Sequence, residues 1–370
     1  MTKRRLVQIA ATLLTLGAAA TAMTTLGDAR TFRSPSPHLP GAPIRVLVYH
    51  DMEGLAGQDD WRTFLFSHPE KYPDGQRLLA ADINAVVDGL FAGGATQVDV
   101  VDAHGSGNPE PDVRRDLLDS RAKQVFRDKP FDPYVDITEP NTYEAVVAVA
   151  MHAKTGSHGF ASHTITLGMD MLLNDKPITE SEIVGYSWGR VGVPMIFVSG
   201  DDRLKDDLKV MPWIEFVVTK KATSASTVEL RPVDEVHAEM RAKAALAVRN
   251  IAKARVMTLK TPLRAGLHAV PPASLESLKG VPGITYKDQA VTFPARDFRA
   301  AYDGVIGLVA AARASYLTVL RETVQKLPDG TKIMADYSDA LFMRWMDYES
   351  GRWTPPPPRP QTGKTFHGDR

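Results

Sequence analysis

Apolar and polar positions alternate along this chain so that short strands and amphipathic helices are predicted to take turns. Ile44 to Tyr49 is a β-rich run of the kind buried in parallel sheets, and it stops abruptly at Asp51-Met-Glu-Gly54. From about Gly75 to Ala92, Leu78, Leu79, Ile83, Val86, Val87 and Leu90 recur at helical spacing until Gly93-Gly94 ends the pattern. Gln97 to Val101 is the next strand, running into Asp102-Ala-His104. Strand, helix, strand is a βαβ unit, whose two strands lie parallel. Ala145 to Met151 is a third apolar run, ending at His152 and followed by a glycine- and histidine-rich loop, Lys154 to His163.

Further on, Thr164 to Leu173 reads as a strand, and Thr179-Glu-Ser-Glu182 has capping-box spacing that predicts a helix to about Arg190. Pro194 to Ser199 is β-rich and closes at Gly200-Asp-Asp-Arg203. Phe216 to Lys220, Val256 to Leu259 and Ala290 to Phe293 read as strands, Val233 to Ala254 and Phe298 to Val319 as helices. The fold class expected is α/β: a mainly parallel open sheet flanked by helices over 44–230, with a smaller α+β portion over 231–350.

The ends of the chain change the setting. Lys3, Arg4 and Arg5 precede an alanine-rich apolar segment from Leu6 to Ala20, and Ala20-Thr21-Ala22 offers small residues at offsets suited to cleavage. Residues 1–29 therefore read as an export signal, with an uncleaved anchor as the alternative because no charge interrupts Leu6 to Leu26. Either way an exported, periplasmic or extracellular location is expected. Residues 30–43 read as a proline-rich linker and 351–370 as a proline-rich tail. Lysine plus arginine equals aspartate plus glutamate at 44 each, so no global field favours nucleic acid, and no stable membrane insertion of the folded part is expected. The chain has no cysteine, which excludes disulfides, a thiolate nucleophile and Cys-ligated zinc. A metal here must be held by His, Asp or Glu.

Three successive apolar strands run out into metal-capable side chains: Asp51 and Glu53, then Asp102 and His104, then His152. In an open parallel sheet the carboxyl ends of the strands share one edge, where ligand sites collect. Asp51 and Glu53, two apart in extended chain, leave that edge on the same side, and like charges so close call for a cation between them. Asp102 is either a ligand or a turn brace. If Thr179 is an N-cap, Glu182 closes its capping box and Glu180 is left to act as a ligand. This donor set exceeds the needs of one tetrahedral zinc and suits two metals about 3.5 to 4 Å apart, a site that activates water near neutral pH. His163 is a candidate for acid or base work or for polarising a carbonyl, or else a loop histidine without a task. His50 and His158 are weaker candidates. The His-Glu-x-x-His and Gly-x-Ser-x-Gly signatures are absent.

Taken in order, Asp51-Met-Glu-Gly54, Asp102-Ala-His104, Met151-His-Ala153, Ser162-His163, Asn174-Asp-Lys-Pro177 with Glu180, and Val193-Pro194 leading to Gly200-Asp-Asp-Arg203 resemble the zinc-dependent D-aminopeptidases of the dipeptide-operon type. The resemblance runs from about Ile44 to Leu230 and, more faintly, through Val291 to about Ala311. It implies an aminopeptidase with two zinc ions per subunit that hydrolyses short peptides with N-terminal D-residues. Under it Asp51, Glu53, His104, His152 and Glu180 are the zinc ligands, His163 is the catalytic histidine, and a homo-oligomer is expected, a ring of ten being the known arrangement. The chain departs from that pattern in its export signal, in its proline-rich tail, at Ala225 where the family carries arginine, and in the loop between His104 and Ala145. The rival readings are an exported peptide-binding protein without turnover and a metallo-amidase using the same site.

Overall fold

A computed structural model describes residues 29–36, 41–125, 132–271, 273–314, 316–349 and 352. The predicted export signal, save Ala29, and the proline-rich tail, save Arg352, lie outside those residues. Within the stretch expected to be linker, Arg30–Arg33 forms a strand, β1, paired antiparallel with β12 (Val256–Leu259). The prolines that suggest a linker begin only at Pro35. Ahead of them, Thr31 bonds Thr258 at 2.6 Å and Phe32 stands edge-on to Trp213.

The central sheet contains β2 (Arg45–His50), β3 (Gln97–Asp102), β4 (Ala122–Gln124), β5 (Ala145–Met151), β8 (Met195–Gly200) and β9 (Glu215–Val218). Its order is β4-β3-β2-β5-β8-β9, and every pair is parallel. The fold class expected from the sequence is therefore the one observed. All seven residues of β5 are buried, as a strand covered on both faces requires.

One face is covered by α1 (Tyr72–Gly93) and, much later in the chain, α4 (Val233–Arg249). These helices touch closely: a methyl group at Gly89 would lie 2.4 Å from the carbonyl oxygen of Arg241. Buried Asp82 of α1 accepts from His237 of α4 at 2.8 Å and from the backbone N–H of Ala56 at 2.9 Å, tying both helices to the loop after β2. The other face is covered by α2 (Glu180–Gly189) and by a second, antiparallel sheet backed by α5 (Phe298–Arg313).

That second sheet has the order β14-β15-β13-β6-β7, from β6 (Met169–Leu173), β7 (Lys176–Ile178), β13 (Leu263–Ala269), β14 (Thr285–Lys287) and β15 (Ala290–Ala295). Residue 230 is thus no seam between the sheets: β6 and β7, which precede it, belong to the second sheet, and α4, which follows it, covers the first. β6 starts at Met169, not at Thr164 as expected, because Ile165 and Gly168 take positive φ angles of 75° and 73° that break the pleat. The apolar helix expected to reach Val319 ends at Arg313. Its stripe of Phe298, Ala301, Tyr302, Val305, Leu308, Val309 and Ala312 is buried, whereas Leu317 and Leu320 of the following helix, α6 (Tyr316–Gln325), are exposed.

Candidate metal centre

The carboxyl edge of the parallel sheet is held at its centre by a tightly fixed turn. After β2, the backbone N–H of Asp51 bonds Val149 and that of Gly54 bonds Ala150, at 3.0 and 2.8 Å. Gly54 is required by close approach, since a methyl group there would sit 2.1 Å from the carbonyl oxygen of Met151. From the far side Lys220 Nζ donates to the carbonyl of Glu53 and to Gln58 Oε1, both at 2.6 Å, while Thr219 donates to the carbonyl of Gly54. Lys220 is fully buried, 4.1 Å from the centre of the Phe160 ring, and burial brings its pKa down to about 7.

Onto this turn the neighbouring strands deliver their histidines. His104 Nε2 lies 3.3 Å from Glu53 Oε1, and its Nδ1 is 2.8 Å from Asp112 Oδ2. His152 Nε2 lies 3.3 Å from Asp51 Oδ2 and 3.7 Å from Glu180 Oε1, and its Nδ1 donates to the carbonyl of Ala153 at 2.9 Å. Because a carboxylate and a carbonyl only accept, each ring carries its proton on Nδ1 and turns the other nitrogen inward. Glu180 opens α2 beside a complete capping box between Thr179 and Glu182, the box that the sequence predicts.

Among the described residues three overlapping groups have ligand atoms within 4.8 Å of one another: Asp51, Glu53 and His104; Asp51, His152 and Glu180; and Glu53, His152 and His163. The first two are joined at Asp51. His163 stacks on His152 with ring centres 3.9 Å apart, and its Nε2 is 4.0 Å from Glu53 and 3.9 Å from Glu180. Its Nδ1 donates to the carbonyl of Ala161 at 2.6 Å. The loop carrying it is strained: His158, Ala161 and Ile165 all have positive φ, and that of β-branched Ile165 aims its N–H at Glu180 Oε1, 2.6 Å away.

The electrostatics call for positive charge. Burial and the neighbouring Glu53 raise the pKa of Asp51. Burial acts against charging His104 and His152, yet the carboxylates around them prevail and raise both well above the ordinary histidine range. His163, by contrast, is lowered by its burial and by His152. Asp51 Oδ2 and His152 Nε2 are buried without a hydrogen bond, an arrangement that costs free energy unless a cation is shared between them. Beside them a cavity of about 30 Å³, lined by Asp51, His104, Tyr134, His163 and Glu180 among others, has room for species the size of a water or an ion. The donor set, all imidazole and carboxylate, fits zinc.

Of the candidates singled out in the sequence, Asp51, Glu53, His104, His152, Glu180 and His163 meet here. Asp102 does not join them and acts as the turn brace, accepting from the backbone N–H groups of His104 and Asp112 at 2.9 and 2.6 Å. His158 is exposed and His50 lies buried in the strand, outside all three groups. Sequence reasoning missed Asp112, Tyr134 and Lys220. For Lys220 a signal exists, a lysine closing an apolar strand. Asp112 and Tyr134 sit in the 105–144 loop, whose placement no local pattern reveals.

A family profile described as D-aminopeptidase matches residues 44–305. The D-aminopeptidase of Bacillus subtilis (strain 168) is 26% identical over 268 residues, 71% of this chain and 96% of that protein. A solved structure described as the Zn-dependent D-aminopeptidase DppA from Bacillus subtilis, a self-compartmentalizing protease, has the same fold. Its TM-score is 0.63 at 24% identity, over 70% of this chain and 95% of that one.

Proposed function

The chain belongs to the D-aminopeptidase family, and from that premise we propose that it is an exported, zinc-dependent peptidase that removes N-terminal D-residues from short peptides. The observation that carries the reading is the pair of ligand groups joined at Asp51, with His163 facing both. Glu53 and His104 would hold one ion, His152 and Glu180 a second, with Asp51 available to both. Zinc held there would supply Lewis acidity toward the scissile carbonyl and would make water acidic enough to attack near neutral pH.

The chain's own part in the reaction is proton transfer and exclusion of water. His163, neutral and with Nδ1–H committed to Ala161, has its Nε2 lone pair open to the cavity. It takes a proton at Nε2 from the attacking water and returns it to the leaving amine nitrogen. Buried Phe64 packs edge-on against His104, and such apolar surroundings strengthen the charge interactions of that ring. The self-compartmentalizing description of the Bacillus subtilis protein supports a homo-oligomer here too, a decameric ring being the arrangement to test first. The basic, then apolar, N-terminal segment supports export to the periplasm or beyond.

The test is incubation of the purified, zinc-loaded chain with D-Ala-D-Ala and with L-Ala-L-Ala. Free alanine from the D-dipeptide, abolished by a chelator and restored by zinc, is the result expected. Tight peptide binding without release would make the chain a binding protein, and cleavage of another amide in place of the dipeptide would make it an amidase.

A further inference from the structure

The two ligand groups look alike in composition, one carboxylate and one imidazole each around Asp51, but their supports differ. On the first side, His104 Nδ1 faces the carboxylate of Asp112. That carboxylate is fully buried and held by Ser106 Oγ at 2.5 Å and by the hydroxyl of Tyr72, while the backbone N–H of Asp112 is anchored on Asp102. On the second side, His152 Nδ1 faces only the neutral carbonyl of Ala153. Its partner Glu180 has both oxygens engaged, one by the hydroxyl of Tyr134 at 2.5 Å and the other by the N–H of Ile165 at 2.6 Å.

A carboxylate behind an imidazole makes the ring a better donor and adds a negative charge close to any bound cation, whereas a carbonyl does less of the first and none of the second. Hydrogen bonds onto both oxygens of Glu180 fix its orientation but, coming from neutral donors, add no negative charge to the site. Taking the paired-metal reading above as given, we propose that the two positions are unequal. The Asp51, Glu53 and His104 position holds zinc tightly, with Asp112 as its positioning residue, and the Asp51, His152 and Glu180 position is the loose one, with Tyr134 as its positioning residue. The enzyme would then carry one firmly held ion and one that comes and goes with zinc supply.

The experiment is titration of the metal-free full chain with zinc against a competing chelating dye, paired with cobalt titration followed by its visible absorption bands. The unaltered chain should take up zinc in two steps at least tenfold apart in affinity. Asp112→Asn should weaken the first step by about 10- to 100-fold and leave the second within threefold. Tyr134→Phe should do the reverse, weakening the second step and sparing the first. Ser106→Ala, which removes one of the hydrogen bonds on Asp112, gives a milder version of the first effect should Asp112→Asn fold poorly. Two steps of equal affinity, or variants that move both steps together, would overturn the inequality and leave the metal pair standing. A chain that binds no zinc at all would overturn both.

Discussion

The two larger sheets of this protein are built from similar material and yield opposite results. Each has a fully buried strand, and each carries a histidine paired with an aspartate, His104 with Asp112 beside the first and His268 with Asp170 in the second. In the parallel sheet every strand points the same way, so whatever follows an apolar run emerges on one edge, and residues far apart in sequence converge around Asp51. In the antiparallel sheet neighbouring strands end on opposite edges. There His268 and Asp170 face each other near one end of the strand pairing, with the imidazole about one-third exposed, and among the described residues they belong to no group of metal-capable side chains. Strand direction, more than residue type, decides which pair becomes part of a site.

The comparison is broken most sharply at the first sheet. Glu53→Ala or His104→Ala is expected to lose one zinc per chain and to lower kcat/KM more than about a hundredfold, since losing even an outer-shell partner of a metal ligand costs that much. Circular dichroism should stay unchanged. Asp170→Asn in the second sheet, measured side by side, should keep both zinc content and turnover. Equal damage from the two sheets would end the distinction between them.

His163→Ala comes next and separates the loop from the strand ends. Zinc content should remain that of the unaltered chain while kcat falls by about 10² to 10⁴, the range for a lost acid–base group. Loss of metal with His163 would make it a ligand, not a proton carrier.

How far the sequence reveals this follows the same division. Asp51, Glu53, His104 and His152 are legible because each directly follows an apolar run that can only be a buried strand, and Glu180 because Thr179 and Glu182 satisfy each other across a capping box. The antiparallel sheet is less legible. Leu263, Ala265, Leu267 and Ala269 of β13 do alternate, but Gly266 breaks the β-rich character and the strand passes unnoticed. Asp112 and Tyr134 are invisible in principle, because a single polar residue in a long loop acquires meaning only from where the loop folds back. β1 is misread for the opposite reason: a short tetrapeptide near prolines has its structure decided by a partner more than two hundred residues away.

A smaller effect is expected at Lys220, where the first sheet's turn is held from behind. Lys220→Met leaves the carbonyl of Glu53 and the side chain of Gln58 without their shared donor, a loss of about 1–3 kcal/mol of stability. Urea unfolding of the metal-free chain measures that loss. Because the Asp51 to Gly54 turn is also bonded to Val149 and Ala150, zinc content should fall less than in Glu53→Ala.

The smallest effect belongs to the second sheet and has a sign that pH exposes. The hydrogen bond from Asp170 raises the pKa of His268 above its ordinary value, so folding is favoured while the imidazole is charged. That contribution is fully present below the unfolded pKa of about 6.5 and is lost as pH rises through the higher folded value. His268→Asn should therefore cost more at pH 5.5 than at pH 8. Solvent screening of a side chain 36% exposed holds the difference below about 1 kcal/mol. Paired urea unfolding curves at the two pH values, run on metal-free protein so that zinc binding does not enter, decide it: a gap that widens toward pH 8 would mean that His268 is held as the neutral ring. The pair would then be a plain hydrogen bond inside a covering sheet, and the contrast with His104, whose carboxylate partner backs a candidate metal ligand, would be sharper still.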